Sequence, residues 1–121
     1  MRFLVVDDSS TMRRIIINTL HELGHQDCQE AVSGKEGLER LDASPIDVII
    51  TDWNMPEMSG IEFIKAVRSI PSVRHVPVLM VTTNALKNDI VEALKAGVNS
   101  YVVKPFTPAT MKAKIEAVLP R

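Results

Sequence analysis

The chain has 121 residues, with 14 Lys and Arg against 15 Asp and Glu, a formal net charge of -1 and a hydrophobic fraction of 45%. That length accommodates one domain and not two, with interior enough to fold without disulfides or structural metal. The charge balance excludes attachment to nucleic acid by counterion release, and the apolar content excludes a disordered chain. Apolar runs of four or five residues are far short of the roughly 20 that span a bilayer.

Phe3-Leu4-Val5-Val6 opens the chain without alternation of polar and apolar residues, and so short a continuous run means burial on both faces. It reads as a strand of a parallel sheet. Met12, Ile15, Ile16, Thr19, Leu20 and Leu23 then recur at helical steps, closed by Gly24. The stretch from Asp27 to Val32 is more polar and suits an edge strand. Ser33-Gly34-Lys35-Glu36 has the spacing of a capping box and opens a second helix through Leu41. Val48-Ile49-Ile50 is a third strand, followed by a helix on Ile61, Ile64, Ala66 and Val67. A fourth strand runs from Val76 to Val81, and its helix carries Ile90, Val91, Leu94 and Val98, with a stop near Gly97. Tyr101-Val102-Val103 is the fifth strand, and Met111, Ile115, Val118 and Leu119 mark a last helix with Pro108 at its first position. Strand and helix alternate five times. The expected architecture is α/β: a five-stranded parallel sheet with five helices, doubly wound by right-handed crossovers, a flavodoxin-like (βα)5 fold.

Polar residues follow the apolar strands at the end where such sheets hold their ligands: Asp7-Asp8, Asp52, Thr82-Thr83 and Lys104-Pro105. Three carboxylates meeting in one crevice repel one another unless a cation neutralises them, and Mg²⁺ suits a few carboxylates with retained waters. Asp7-Asp8 alone read equally well as carboxylates at a helix N-terminus. Asp52 and Lys104 at matching strand ends favour the cation.

Val5-Val6-Asp7-Asp8, Asp52-Trp53-Asn54-Met55-Pro56 and Tyr101-Val102-Val103-Lys104-Pro105-Phe106 resemble the motifs of receiver domains in bacterial two-component response regulators, in family order and spacing. Together with Ser10-Thr11-Met12-Arg13-Arg14, they are most similar to those of the stand-alone chemotaxis regulators. The resemblance covers the whole chain and implies a single receiver domain over residues 1–121. It implies that Asp52 accepts a phosphoryl group from a histidine kinase, with Mg²⁺ held by Asp8 and Asp52, by Asp7 through water, and by the backbone carbonyl of Asn54. Lys104 and the Thr82 hydroxyl would contact phosphoryl oxygens, and the bond from Lys104 to Pro105 would be cis.

The same resemblance makes Thr82 and Tyr101 a coupled switch on the face of the fourth and fifth helices. Lys87, Ile90, Tyr101, Val103 and Lys114 match positions that bind the flagellar motor switch and other targets. A phosphatase is a further implied partner; nucleic acid and membrane are not, and a monomer is expected. Two departures stand beside the phosphoacceptor: Thr83 replaces a usually small residue, and Asn84 replaces the Glu of the nearest chemotaxis proteins. The bulk of Thr83 is expected to narrow access to Asp52.

The lone Cys28 allows no internal disulfide, and Asp7-Asp8 interrupt the first apolar run too early for a signal peptide, so a cytoplasmic location is expected. With no length left for an output module, the signal is expected to leave through a partner. Competing readings are a receiver in a phosphorelay outside chemotaxis, a receiver-like scaffold that is not phosphorylated, and an aspartate-nucleophile phosphohydrolase. The last carries a second acid two residues after its nucleophile, where this chain has Asn54. A flavin module would not set Asp7-Asp8 in its phosphate loop. Trp53 is expected at the pocket rim, Met55 and Met58 over neighbouring surface, and His21, His25 and His75 at the surface.

Overall fold

In a computed structural model, which describes residues 1–83 and 86–119, five strands and five helices alternate without exception. The strands are β1 (Phe3–Val6), β2 (Cys28–Ala31), β3 (Val48–Asp52), β4 (Val78–Thr82) and β5 (Ser100–Val103). The helices are α1 (Ser10–Glu22), α2 (Gly34–Ala43), α3 (Gly60–Ser69), α4 (Lys87–Ala96) and α5 (Pro108–Val118). All strand pairs are parallel, in the order β2-β1-β3-β4-β5. The order reverses between β1 and β3, and that is where a doubly wound sheet opens its ligand crevice.

Every residue of β1, β3 and β4 is buried, as their unbroken apolar runs require. Alternate side chains feed two cores. Leu4, Val6, Ile49, Val78 and Met80 pack with Leu41, Phe63, Ile64, Val67 and Ala93 under α2, α3 and α4. Phe3, Val5, Ile50, Leu79 and Val81 pack with Ile16, Leu20, Met111 and Ile115 under α1 and α5. β2, with Gln29 and Glu30, is the edge its polarity suggests. His25 differs from expectation: it is half-buried, with its ring 4.8 Å from that of Phe3, while His21 and His75 are exposed.

Helix starts follow local chemistry. Ser9, Ser33, Ser59 and Thr107 each accept a backbone N–H from the first turn of their helix, and Pro108 opens α5. At Ser33 only half of the expected capping box forms, because Glu36 turns to Arg40 at 3.5 Å. The reciprocal box lies at Ser59, whose N–H donates to Glu62 Oε1 at 3.0 Å while its Oγ accepts the Glu62 N–H at 3.2 Å. α4 begins after Leu86 with no side-chain cap and ends at Gly97, whose φ of 109° favours glycine.

β4 starts at Val78, two residues later than its apolar run, because Pro77 has no N–H for the ladder. The Val78 N–H goes instead to Asn99 Oδ1 at 2.8 Å. Behind this junction Arg68 of α3 spends its guanidinium on neutral oxygens. Its Nε and Nη2 donate to the Gly97 carbonyl at 3.2 and 2.6 Å, its Nη1 to the carbonyls of Arg74 and Val76 at 2.7 and 2.6 Å, and its Nη2 to Asn99 Oδ1 at 3.0 Å. This tie holds the loops that lead into β4 and β5.

Candidate functional site

The carboxyl ends of β1, β3, β4 and β5 bring the polar residues of four separate segments to one edge of the sheet. Asp7 and Asp8 follow β1, and Asp52 is the last residue of β3. Thr82 is the last residue of β4, one past Val81, the register partner of Asp52. Lys104 follows β5, and its N–H donates to the Thr82 carbonyl at 2.7 Å. Asp52 and Thr82 thus still belong to the ladder, rather than following it.

One carboxylate oxygen from each of Asp7, Asp8 and Asp52 lies within 4.8 Å of the others, with Asp7 and Asp52 buried and Asp8 exposed. Lys104 Nζ lies 3.2 Å from Asp52 Oδ1 and 3.9 Å from Asp7 Oδ2. Asp7 Oδ1 accepts the Ser9 N–H at 2.8 Å, whereas its buried Oδ2 has no hydrogen-bond partner among the described residues. Burial pushes the Asp7 carboxyl up to about 6; the Ser9 amide and Lys104 oppose that rise, and the charges of Asp52 and Asp8 add to it. A buried carboxylate oxygen without a donor, beside two further carboxylates, fits a hard divalent cation with oxygen ligands. One ammonium group does not balance three carboxylates.

The loop after Asp52 is held by packing. Trp53 and Met55 are buried in the core under α2–α4, Met58 packs against it, and Asn54 is exposed. The Trp53 N–H donates to the Val81 carbonyl at 3.1 Å, and the Gly60 N–H to the Trp53 carbonyl at 2.7 Å. A Cβ at Gly60 would press on the Asp52 carbonyl oxygen and lie 2.9 Å from Trp53 Cα, so a side chain there has no room. Gly60 is thus a site residue that sequence reading missed, although Ser59-Gly60-Ile61-Glu62 carries its signal. Arg13 is another: its Nη1 donates to the Asp7 carbonyl at 2.6 Å and its Nε to Glu30 Oε1 at 2.9 Å.

The remaining expected residues spread outward from this point. Thr83 is exposed beside Thr82, while Asn84 lies outside the described residues. Tyr101 is half-buried and paired in register with Met80, two residues back from the level of Thr82. Lys114 of α5 reaches over it, with Nζ 5.3 Å from the ring centroid. Lys87 is exposed at the start of α4, and Ile90 and Val103 are half-buried. The peptide from Lys104 to Pro105 is cis. Cys28 is half-buried, and no helix among the described residues is long and apolar enough to cross a membrane.

A parallel sheet in the order 2-1-3-4-5 that gathers three acids and a lysine at its carboxyl edge defines a class, and residues 3–116 match the response regulator receiver domain. The chain belongs to that family, whose members are signalling proteins rather than enzymes in the usual sense and bind Mg²⁺ in the active site. Among receivers it is similar to the chemotaxis protein CheY1 of Helicobacter pylori, 56% identical over 98% of this chain and 97% of that protein. The structure of the chemotaxis response regulator CheY4 of Vibrio cholerae superposes with a TM-score of 0.91 at 37% identity, covering 98% of each chain. The receiver domain of the Pseudomonas aeruginosa sensor histidine kinase PA1611, with a magnesium ion in its active site cleft, superposes with a TM-score of 0.85 at 26% identity, covering 97% and 95%. The chain is therefore a CheY-like response regulator receiver, and its relatives point to chemotaxis signalling.

Proposed function

We propose that residues 1–121 form a single receiver domain that Asp52 switches by accepting a phosphoryl group from a histidine kinase. The observation that carries this reading is the meeting of Asp7, Asp8 and Asp52 within 4.8 Å, with Lys104 on Asp52. An Asp52 carboxylate oxygen attacks the phosphorus of a phosphohistidine; the P–N bond breaks and the leaving imidazole takes up a proton. Asp8 and Asp52 would hold Mg²⁺ with the Asn54 carbonyl, and Asp7 would do so through water. The bound cation supplies charge neutralisation for the phosphoryl oxygens. Lys104 leaves Asp52 for a phosphoryl oxygen, and the Thr82 hydroxyl donates to another.

On this reading Thr83 narrows access to the buried Asp52 and slows the reaction of the acyl phosphate with water. Thr82 and Tyr101 then carry the change to a surface around α4 and α5 that includes Lys87, Ile90, Val103 and Lys114. That surface meets a flagellar motor switch protein in the cytoplasm, and a phosphatase resets the monomeric protein. The test is to add Mg²⁺ and a small phosphodonor and weigh the protein. Wild type gains one phosphoryl group and Asp52→Ala gains none. Absence of gain in wild type with a competent donor overturns the reading in favour of a scaffold, and turnover of unrelated phosphate esters overturns it in favour of a hydrolase.

A further inference from the structure

Consecutive side chains on an extended strand point to opposite faces, yet Asp7 and Asp8 both offer an oxygen to one cluster. The peptide between them must therefore be fixed in one orientation after the ladder ends. The ladder of β1 closes at Val6, with one further bond from the Asp7 N–H to the Ala31 carbonyl at 3.1 Å. The Asp7 carbonyl lies beyond it, and Arg13 Nη1 takes it at 2.6 Å. That guanidinium is oriented by Glu30 on β2, at 2.9 Å from Nε, and the Arg13 side chain is only 12% exposed.

We propose that Arg13 is a positioning residue for the acidic site. By holding the carbonyl that joins Asp7 to Asp8, it sets how tightly the cluster retains a divalent cation. The inference rests on the reading of Asp7, Asp8 and Asp52 as a Mg²⁺ site. Geometry carries it rather than charge: the planar guanidinium serves two acceptors from one rigid group, and an ammonium in its place serves one. With the carbonyl released, the peptide swings, and the bond from the Ser9 N–H to Asp7 Oδ1 loosens with it.

The experiment titrates Mg²⁺ into wild type, Arg13→Met, Arg13→Lys and Glu30→Gln, reading the fluorescence of Trp53, the only tryptophan. Both Arg13 variants are expected to bind about 10-fold more weakly, the usual scale for losing a group that orients a metal ligand. Glu30→Gln is expected to weaken binding less than either. In metal-free protein, Arg13→Met should speed hydrogen exchange at the Ser9 amide and leave Ile50 in β3 unchanged, which a general loss of stability would not do. Binding by either Arg13 variant within about twofold of wild type overturns the proposal; if Arg13→Met fails to fold, Arg13→Lys decides it. A wild type whose Trp53 ignores Mg²⁺ sinks the metal reading instead. Exchange at Ser9 in Arg13→Lys then decides separately whether Arg13 holds the loop, and an unchanged rate overturns it.

Discussion

Replacing Asp7 by Asn should make the metal-free protein more stable at neutral pH, although it removes an acid from the site. Burial lifts the Asp7 carboxyl from 3.8 to about 6, which at about 1.4 kcal/mol per pKa unit is about 3 kcal/mol of destabilisation once the group is ionised. Below about pH 4 the carboxyl is protonated whether folded or unfolded, and the destabilisation is absent. It grows as pH rises from about 4 to about 6 and is complete above that. Asn keeps an oxygen for the Ser9 N–H but turns an amide nitrogen toward Lys104, where Oδ2 stood at 3.9 Å. That clash of donors offsets part of the gain, leaving about 1–2 kcal/mol. Urea unfolding in EDTA at pH 7.5 and at pH 4.5 measures it. The gap should be open at the higher pH and close at the lower, and saturating Mg²⁺ should narrow it at pH 7.5 by stabilising wild type more than the variant, which keeps only two of the three carboxylates. A variant no more stable than wild type at pH 7.5 without divalent cations, or a gap indifferent to pH, refutes the reasoning.

Gly60→Ala should cost about 1–3 kcal/mol, because the atoms its Cβ meets are the backbone of Asp52 and Trp53; phosphorylation of Asp52 should slow in parallel, as mass spectrometry at timed intervals would show. Thr83→Ala should speed phosphorylation by small donors and hydrolysis of the acyl phosphate by a few fold each, since Thr83 stands exposed beside Thr82; unchanged rates leave it no role in access. Lys114→Met removes a cation 5.3 Å from the Tyr101 ring, a contact of about 0.5–1 kcal/mol. That is about a two- to fivefold shift in the ring's population, to be read from the ¹⁹F resonance of fluorotyrosine at the chain's single Tyr.

The fold was legible wherever burial left a one-dimensional trace. Phe3–Val6 and Val48–Ile50 are apolar on both faces because both faces are covered, and β2 is polar because it is an edge. Strand ends were less so, since backbone pairing carries Asp52 and Thr82 past the apolar run while Pro77 delays β4. The acids and lysine of the site were legible because each stands at the carboxyl end of an apolar strand, at one edge of the sheet. What joins them was not. The 3.2 Å pair of Lys104 with Asp52 spans three strands, Arg13 acts on a carbonyl, and Gly60 acts by having nothing there. Backbone acceptors and absent atoms leave no mark in hydropathy or charge.

Arg68 extends this to mechanics. Its five hydrogen bonds all end on neutral oxygens, four of them backbone carbonyl contacts in the loops that feed β4 and β5. Among the described residues the grip therefore has no acidic partner for salt to screen away. It fastens α4 at Gly97, while the opposite end of that helix starts at Leu86 without a side-chain cap. The two ends of the helix are therefore built unequally, one tied by a side chain of α3 and the other resting on backbone bonds to the Leu86 carbonyl.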